Sequence, residues 1–197
     1  MGYKREVLRD LPWDMRVEKV LQKMAMDSSV PFQALRNLIH VDKENLIVYL
    51  PYAYHFSLRN VLVDFYRDTE FPITDGVINP GNLQFALESL PYVHNRKGDR
   101  ERKITRKAAF LMFQIASGHP FADGNKRTSL LLTNAFMEHN SLTIGHLPLE
   151  ETEELVLGVA RGECGEKECF DFLTSRIRPL DQRLIAEIEK LIKEKTG

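Results

Sequence analysis

The feature that most constrains the fold is a run of apolar residues with helical spacing that stops abruptly at a glycine and a proline. The apolar positions 104, 108, 111, 112 and 115 lie on one helical face. Gly118 stands where a left-handed C-terminal cap is expected, and Pro120 cannot continue the helix. A second apolar stripe, at 131, 132, 135 and 136, predicts a helix from about Asn125 to Glu138. The pattern therefore predicts two helices joined by a short loop.

Helical periodicity recurs along most of the chain. It predicts helices over Arg5–Met26, after Pro31, over Ser57–Tyr66, from about Glu150 and over 181–197. The Asn79-Pro80-Gly81-Asn82 run is a turn signature, which Val77 and Ile78 could extend into a small exposed hairpin or flap. Asn82 is then expected to cap a further helix.

The pattern predicts an all-α fold with one small β element at Asn45–Tyr49. It divides the chain into an N-terminal appendage (1–50), a main domain (51–180) and a C-terminal amphipathic helix (181–197). The appendage is either a helical extension packed on the main domain or a small winged-helix-like piece.

Composition narrows the functional classes. The chain has 27 basic and 28 acidic side chains, so no overall field favours nucleic acid or membrane. Its start lacks the apolar stretch of a secretory signal, its most apolar stretch is too short to span a bilayer, and it has only two cysteines. We expect a cytoplasmic protein. Seven basic residues between Arg96 and Lys107 form either a solvated surface or an attractor for an anionic nucleotide or a target.

The loop between the two helices contains groups suited to phosphate-transfer chemistry. A histidine titrates near neutrality, so His119 can accept the proton of an attacking hydroxyl. Asp123 is a lone carboxylate suited to a Mg²⁺ ion whose other ligands are phosphate oxygens and water. Phe121 is expected to point inward and anchor the loop.

The residues after Asp123 are suited to anion binding. Gly124 lets backbone N–H groups approach an anion, and Asn125 begins a helix whose free N–H groups and dipole attract one. Lys126 and Arg127 add positive charge, and the arginine can grip phosphate oxygens bidentately. The loop is thus predicted to seat a polyphosphate beside His119.

The run HPFADGNKR at 119–127 resembles the signature of the Fic/Doc family, HPFx(D/E)GN(G/K)R. The similarity extends from about Ser57 to Arg178. Within it, residues 75–81 are similar to the flap of the death-on-curing (Doc) branch, and residues 155–162 to that branch's C-terminal helix. The resemblance implies a Fic/Doc-type helical bundle whose motif loop lies at one end of a central helix.

The resemblance also implies roles. His119 would deprotonate a Ser, Thr or Tyr hydroxyl on a target protein, and Asp123 would hold Mg²⁺. Gly124 and Asn125 would line the phosphate site of ATP or another nucleoside triphosphate. Arg127 would stabilise the charge that develops during transfer. The flap, with Val77, Ile78 and Asn79, would hold the target backbone by strand-like hydrogen bonds.

The transferred group stays open between phosphate and AMP. Lys126 occupies the position where AMP-transferring members typically have Gly and where the Doc toxin, a protein kinase, has Lys. Pro120 and Gly124 instead look more like the AMP-transferring members. We favour Doc-like phosphotransfer, with protein adenylylation (AMPylation) as the alternative. A silent Fic-fold binding module and a DNA-binding regulator are the remaining alternatives.

The sequence also suggests a partner. Family members are often inhibited by a helix of pattern (S/T)xxxE(G/N), but no Ser or Thr here has Glu four positions later. We therefore expect no inhibitor in cis and instead an antitoxin-like inhibitor in trans, as for the toxin of a toxin–antitoxin pair. The oligomeric state stays undetermined.

Overall fold

The computed structural model describes residues 40–180, except 43, 46, 51, 94–97 and 145–147. The predicted N-terminal helices and the C-terminal helix of 181–197 lie outside these residues, and of the winged-helix-like piece only the strand predicted at Asn45–Tyr49, apart from residue 46, lies within them. The division into 1–50, 51–180 and 181–197 therefore stays a prediction.

The predicted all-α class is confirmed. The described residues form six α-helices: α1 (Tyr52–Tyr66), α2 (Pro80–Ser89), α3 (Arg100–Gly118), α4 (Asn125–Glu138), α5 (Leu149–Arg161) and α6 (Glu166–Arg176). A 3-10 turn (Leu90–Tyr92) follows α2. Two small antiparallel sheets complete this part of the chain, one of β1 (His40–Asp42) and β2 (Ile47–Tyr49), the other of β3 (Leu142–Ile144) and β4 (Ile177–Pro179).

Helix α3 lies at the centre of the core. The predicted apolar stripe at 104, 108, 111, 112 and 115 is wholly buried. Helix α4 packs alongside it with the predicted stripe Leu131, Leu132, Ala135 and Phe136 buried as well. The two helices that flank the motif loop therefore form a rigid support for it.

The hairpin β1–β2 is part of the same core. Ile47 and Tyr49 are buried with the helical residues. Asn140, just after α4, accepts from Val48 N–H at 2.8 Å and donates to Val48 O at 3.0 Å. One buried side-chain amide thus replaces a neighbouring strand for β2.

Much of the basic segment that ends at Lys107 has structural partners. Lys107 is fully buried, and its ammonium donates to the carbonyls of Leu90 (3.0 Å), Pro91 (2.9 Å) and Val93 (2.6 Å). The guanidinium groups of Arg102 and Arg106 lie 5.5 and 5.1 Å from the Phe170 ring centroid. Lys107 is thus part of the core and not of a solvated surface, while the two arginines pack against an aromatic ring.

Two helix caps differ from the prediction. Gly118 is the last residue of α3, and the left-handed residue is His119. Asn79, not Asn82, is the N-cap of α2, because the φ of Pro80 suits the first helical position as well as it suits a turn. Asn82 lies inside the first turn of α2 and donates to Gly118 O at 2.6 Å.

Among the described residues, no helix combines the length and the apolar character that crossing a bilayer requires.

Candidate active site

The motif loop begins with a strained histidine. His119 has φ 43° and ψ 55°, a left-handed conformation that is uncommon for a residue with a side chain. Asn79 donates to His119 O at 2.9 Å and Asn82 donates to Gly118 O at 2.6 Å. Two carbonyls at the end of α3 are thus satisfied by side chains of another segment. The exposed imidazole is consequently presented from a fixed backbone.

The flap pairs with the motif loop and does not form the predicted hairpin. Val77 and Phe121 form an isolated antiparallel bridge. Ile78 N–H donates to Pro120 O and Ala122 N–H donates to Gly76 O, both at 2.9 Å. A single bridge forms because the chain enters helix α2 at Pro80 instead of turning back on itself.

The bridge geometry leaves one edge of the flap free. The two bonds flank Val77, so its own N–H and C=O point away from the loop. Neither group has a hydrogen-bond partner within the part of the chain that the structure describes. The side chains of Val77 and Ile78 are exposed beside this edge. The flap therefore offers a short strand edge to another chain.

Phe121 points inward, as predicted, and Asn125 holds it there. Phe121 is buried. The Asn125 side chain accepts from Phe121 N–H at 2.9 Å and donates to Phe121 O at 2.7 Å. The side-chain amide is thus occupied in closing the loop. The predicted role of Asn125 in phosphate binding stays a prediction, and it depends on its backbone N–H.

Gly124 is required for two reasons that the sequence did not reveal. Its φ is +71°, and a Cβ there would lie 2.9 Å from Ile73 Cγ2. As the N-cap of α4 it has no side chain to satisfy the first N–H groups of that helix. Among the described residues, no capping side chain therefore binds the first donors of this helix, and the positive end of its dipole lies at the loop, the usual geometry of an anion site.

Asp123 and Arg127 lie together on this first turn. Asp123 Oδ2 lies 3.8 Å from Arg127 Nη2 and accepts from Thr74 N–H at 3.3 Å, while Oδ1 accepts from Gly124 N–H at 2.5 Å. Arg127 also donates to Phe71 O at 3.1 Å, and its guanidinium carbon is 4.4 Å from the Tyr66 ring centroid. The aromatic face and the carbonyl hold the guanidinium in place while it stays partly accessible.

The donor set suits a magnesium ion that is bound mostly by substrate. The Asp123 side chain is 44% exposed. Among the described residues, no group of three His, Cys, Asp or Glu side chains could hold a metal. One accessible carboxylate fits Mg²⁺, which takes one or two protein carboxylates and completes its shell with phosphate and water.

The sequence reasoning missed Arg59. This buried α1 residue donates to Asp123 O at 2.9 Å and to Thr74 O at 3.4 Å, and its guanidinium carbon is 4.8 Å from the Phe121 ring centroid. The available signal was a charged residue between the apolar positions Leu58 and Leu62.

The structure thus brings the predicted residues together at one end of α3. His119 and the flap residue Asn79 are hydrogen-bonded, and Asp123 and Arg127 are in ion-pair range. Lys126 lies exposed in the first turn of α4. The two halves of the loop are joined by the Asn125 side chain, which binds Phe121, and by backbone bonds of Pro120 and Ala122 to the flap.

Comparison with known proteins agrees with this geometry. Residues 49–137 match the model of the Fic/DOC family, and this range spans α1 to α4 with the flap and the motif loop. No curated protein matches the chain. The chain therefore carries a Fic/DOC family domain at residues 49–137.

Proposed function

We propose that this domain transfers the γ-phosphate of ATP to a Ser, Thr or Tyr hydroxyl of a target protein. The observation that carries the proposal is the juxtaposition at the end of α3. A strained, exposed His119 lies in the loop before the uncapped N-terminus of α4. Asp123 and Arg127 lie at this N-terminus, within ion-pair distance of each other. A base, an anion site and a partly accessible guanidinium are the parts that phosphoryl transfer needs.

The transfer step follows from these roles. His119 accepts the proton of the target hydroxyl as its oxygen forms a bond to the γ-phosphorus. The bond between that phosphorus and the β–γ bridging oxygen breaks, and ADP leaves. Arg127 and the first N–H groups of α4 stabilise the charge on the phosphate oxygens. Asp123 would hold Mg²⁺, which supplies charge neutralisation when bound.

The free edge of the flap supports a protein target. An extended target segment can donate to Val77 C=O and accept from Val77 N–H, which adds a strand beside the Val77–Phe121 bridge. Main-chain pairing of this kind accepts many sequences and places a side-chain hydroxyl near His119. This reaction would take place in the cytoplasm, where ATP is available and the free thiols Cys164 and Cys169 remain reduced.

Protein adenylylation is the second candidate. Lys126 favours phosphotransfer by the resemblance, whereas Pro120 and Gly124 favour AMP transfer. The left-handed Gly124 packs against Ile73, so a Cβ would be strained there, and this structural reason for the glycine is compatible with either reaction.

Labelled ATP distinguishes these candidates. Incubation with lysate and ATP labelled at the γ position or at the α position reports the transferred group. Label from γ alone supports phosphotransfer, and label from α supports AMP transfer. If the target carries no label from either position, the proposed transferase activity is wrong. His119→Ala should abolish labelling, while His139→Ala, at the C-cap of α4 outside the loop, serves as the matched control.

We also propose that a separate, antitoxin-like protein inhibits this domain. Arg127 is 31% exposed at its side chain, so a partner carboxylate can reach it. An antitoxin-like protein that inserts a Glu there would displace nucleotide phosphate. Full activity of the wild-type protein expressed alone in its host, without a growth defect, would argue against such a partner.

A further inference from the structure

Arg59 is a buried cation shared by two segments of the site. Only 1% of its surface is exposed. Its Nη2 donates to Asp123 O in the motif loop and to Thr74 O in the segment that leads into the flap. Thr74 N–H in turn donates to Asp123 Oδ2 at 3.3 Å. Arg59, Thr74 and Asp123 therefore form a closed set of contacts beneath the loop.

The burial of Arg59 is only partly compensated. Its Nε and Nη1 have no hydrogen-bond partner among the described residues. Burial lowers the pKa of Arg59, while the Asp75 and Asp123 carboxylates raise it, and a guanidinium stays protonated at neutral pH. A neutral donor could join two carbonyls without burying a charge. An incompletely satisfied cation at this position therefore points to a role beyond stability.

The contact with Asp123 O fixes a particular peptide. The peptide between Asp123 and Gly124 is bound at both ends, because Arg59 holds its C=O and Asp123 Oδ1 holds its N–H. This peptide immediately precedes α4, and Gly124 adopts its left-handed φ just after it. The orientation of the Asp123 carboxylate and of the uncapped helix start thus depends on the position of the guanidinium.

We propose that Arg59 is a positioning residue that holds the flap and the motif loop as one unit and aims Asp123 and the start of α4 at the same polyphosphate. This inference rests on the proposed function. Arg59 itself is buried beneath the loop, so it acts through Asp123 and Gly124 and leaves proton transfer to His119.

Hydrogen exchange tests the positioning directly. In Arg59→Met, the Ile78 and Ala122 amides, which form the bridge bonds, should exchange at least about tenfold faster than in the wild type. Lys107→Met is the matched control, because it also removes a buried cation that donates to main-chain carbonyls. The control should leave these two amides unchanged. Equal exchange in Arg59→Met and the wild type, or equal acceleration in Lys107→Met, would overturn the proposal.

Binding of Mg·ATP, measured by titration calorimetry, provides the second readout. Arg59→Met should weaken binding roughly tenfold or more, the size seen when a group that orients a metal ligand is lost. Arg59→Lys keeps a cationic donor and should recover part of the affinity for Mg·ATP. If Arg59→Met does not fold, the affinity of Arg59→Lys is compared with that of the wild type instead. The pH profile of transfer should not move, since His119 is untouched. Wild-type affinity in both variants would contradict the proposal.

The two proposals fail in different ways. If the wild type neither binds Mg·ATP nor transfers label, the proposed function is wrong, and the exchange of Ile78 and Ala122 alone decides whether Arg59 joins the flap to the loop. If the wild type is active and the Arg59 variants match it in exchange and affinity, only the role of Arg59 is wrong.

Discussion

Two buried cations, Lys107 and Arg59, support different regions of the molecule in similar ways. Lys107 lies twelve residues before His119, roughly 18 Å along α3. Within the described residues, both side chains donate only to main-chain carbonyls. Lys107 has three donors and three carbonyl partners, whereas Arg59 leaves Nε and Nη1 without a partner within the described residues. Among the described residues, the Lys107 ammonium is therefore fully satisfied and the Arg59 guanidinium is not.

The difference separates stability from function. At Lys107, each ammonium donor has a carbonyl partner, which is the expectation for a buried cation that holds the 3-10 turn against α3. At the site, a strained His119, an uncapped helix and an incompletely paired guanidinium occur within one loop and its support. Such unfavourable features persist where a geometry serves chemistry. Variants in the two regions should therefore affect different measurements.

The largest expected effect comes from breaking the site alone. His119→Ala should reduce transfer by at least about 100-fold, because a general base contributes that much or more. Its imidazole is exposed, so the melting temperature should change little. Transfer of γ-label and thermal unfolding, measured on the same sample, test the predicted loss of activity and the unchanged melting temperature. Residual transfer close to the wild-type rate would remove His119 as the base.

Gly124→Ala tests how tightly the loop is packed. The left-handed φ and a Cβ 2.9 Å from Ile73 should together cost about 3 kcal/mol. Gly162→Ala is the matched control, since Gly162 has φ +76° with nothing within 4 Å of the added Cβ. There the cost should be about 1 kcal/mol. Chemical denaturation gives both values, and equal losses would show that the Ile73 contact is unimportant.

Lys107→Met breaks the scaffold alone. Three carbonyls lose the buried ammonium that binds them, so the free energy of unfolding should fall by about 2 kcal/mol at neutral pH. Transfer by the folded fraction should stay at the wild-type rate. If fully folded Lys107→Met transferred label more slowly than the wild type, the scaffold and the site would be coupled. That result would contradict the separation of stability from function.

The pH dependence of Lys107 gives an independent check. Burial lowers the pKa of Lys107 from 10.5 to about 8. Between these values the unfolded chain binds more protons than the folded one, so the unfolding free energy of the wild type relative to Lys107→Met should rise with pH. Below pH 8 the difference should be constant. Denaturation curves of the wild type and Lys107→Met from pH 7 to 10.5 test whether the difference in unfolding free energy rises with pH.

The smallest expected effect is at the end of α3. Asn82→Ala removes the 2.6 Å bond to Gly118 O and should cost about 1 kcal/mol. Gln84→Ala is the control on α2, the helix that also contains Asn82. This variant loses only a bond to Glu88, so its unfolding free energy should be close to that of the wild type. The unfolding free energies of the two variants, compared by denaturation, measure what the cap contributes. No difference between them would mean that water replaces the Asn82 amide at no cost.

The sequence predicted the regular elements well and their junctions less well. The stripes of α3 and α4 follow from helical periodicity, which is a property of neighbouring residues. Asn79 replaces Asn82 as the N-cap of α2 because the φ of Pro80 suits the first helical position. The left-handed residue after α3 is His119 and not Gly118, and the last carbonyls there bind side chains from a segment distant in sequence. The predicted hairpin does not form, because the chain enters α2 at Pro80 and Val77 pairs with Phe121, more than forty residues away.

By itself the sequence determined the helical class and the chemistry available at 119–127, since residue types and their spacing set both. The tertiary structure alone decided how that chemistry is held. Arg59 and Lys107 are both cations within apolar helical runs, and only the carbonyls that face them distinguish a support beneath the loop from a support for the core. Those carbonyls come from other segments, so no local pattern could have predicted them.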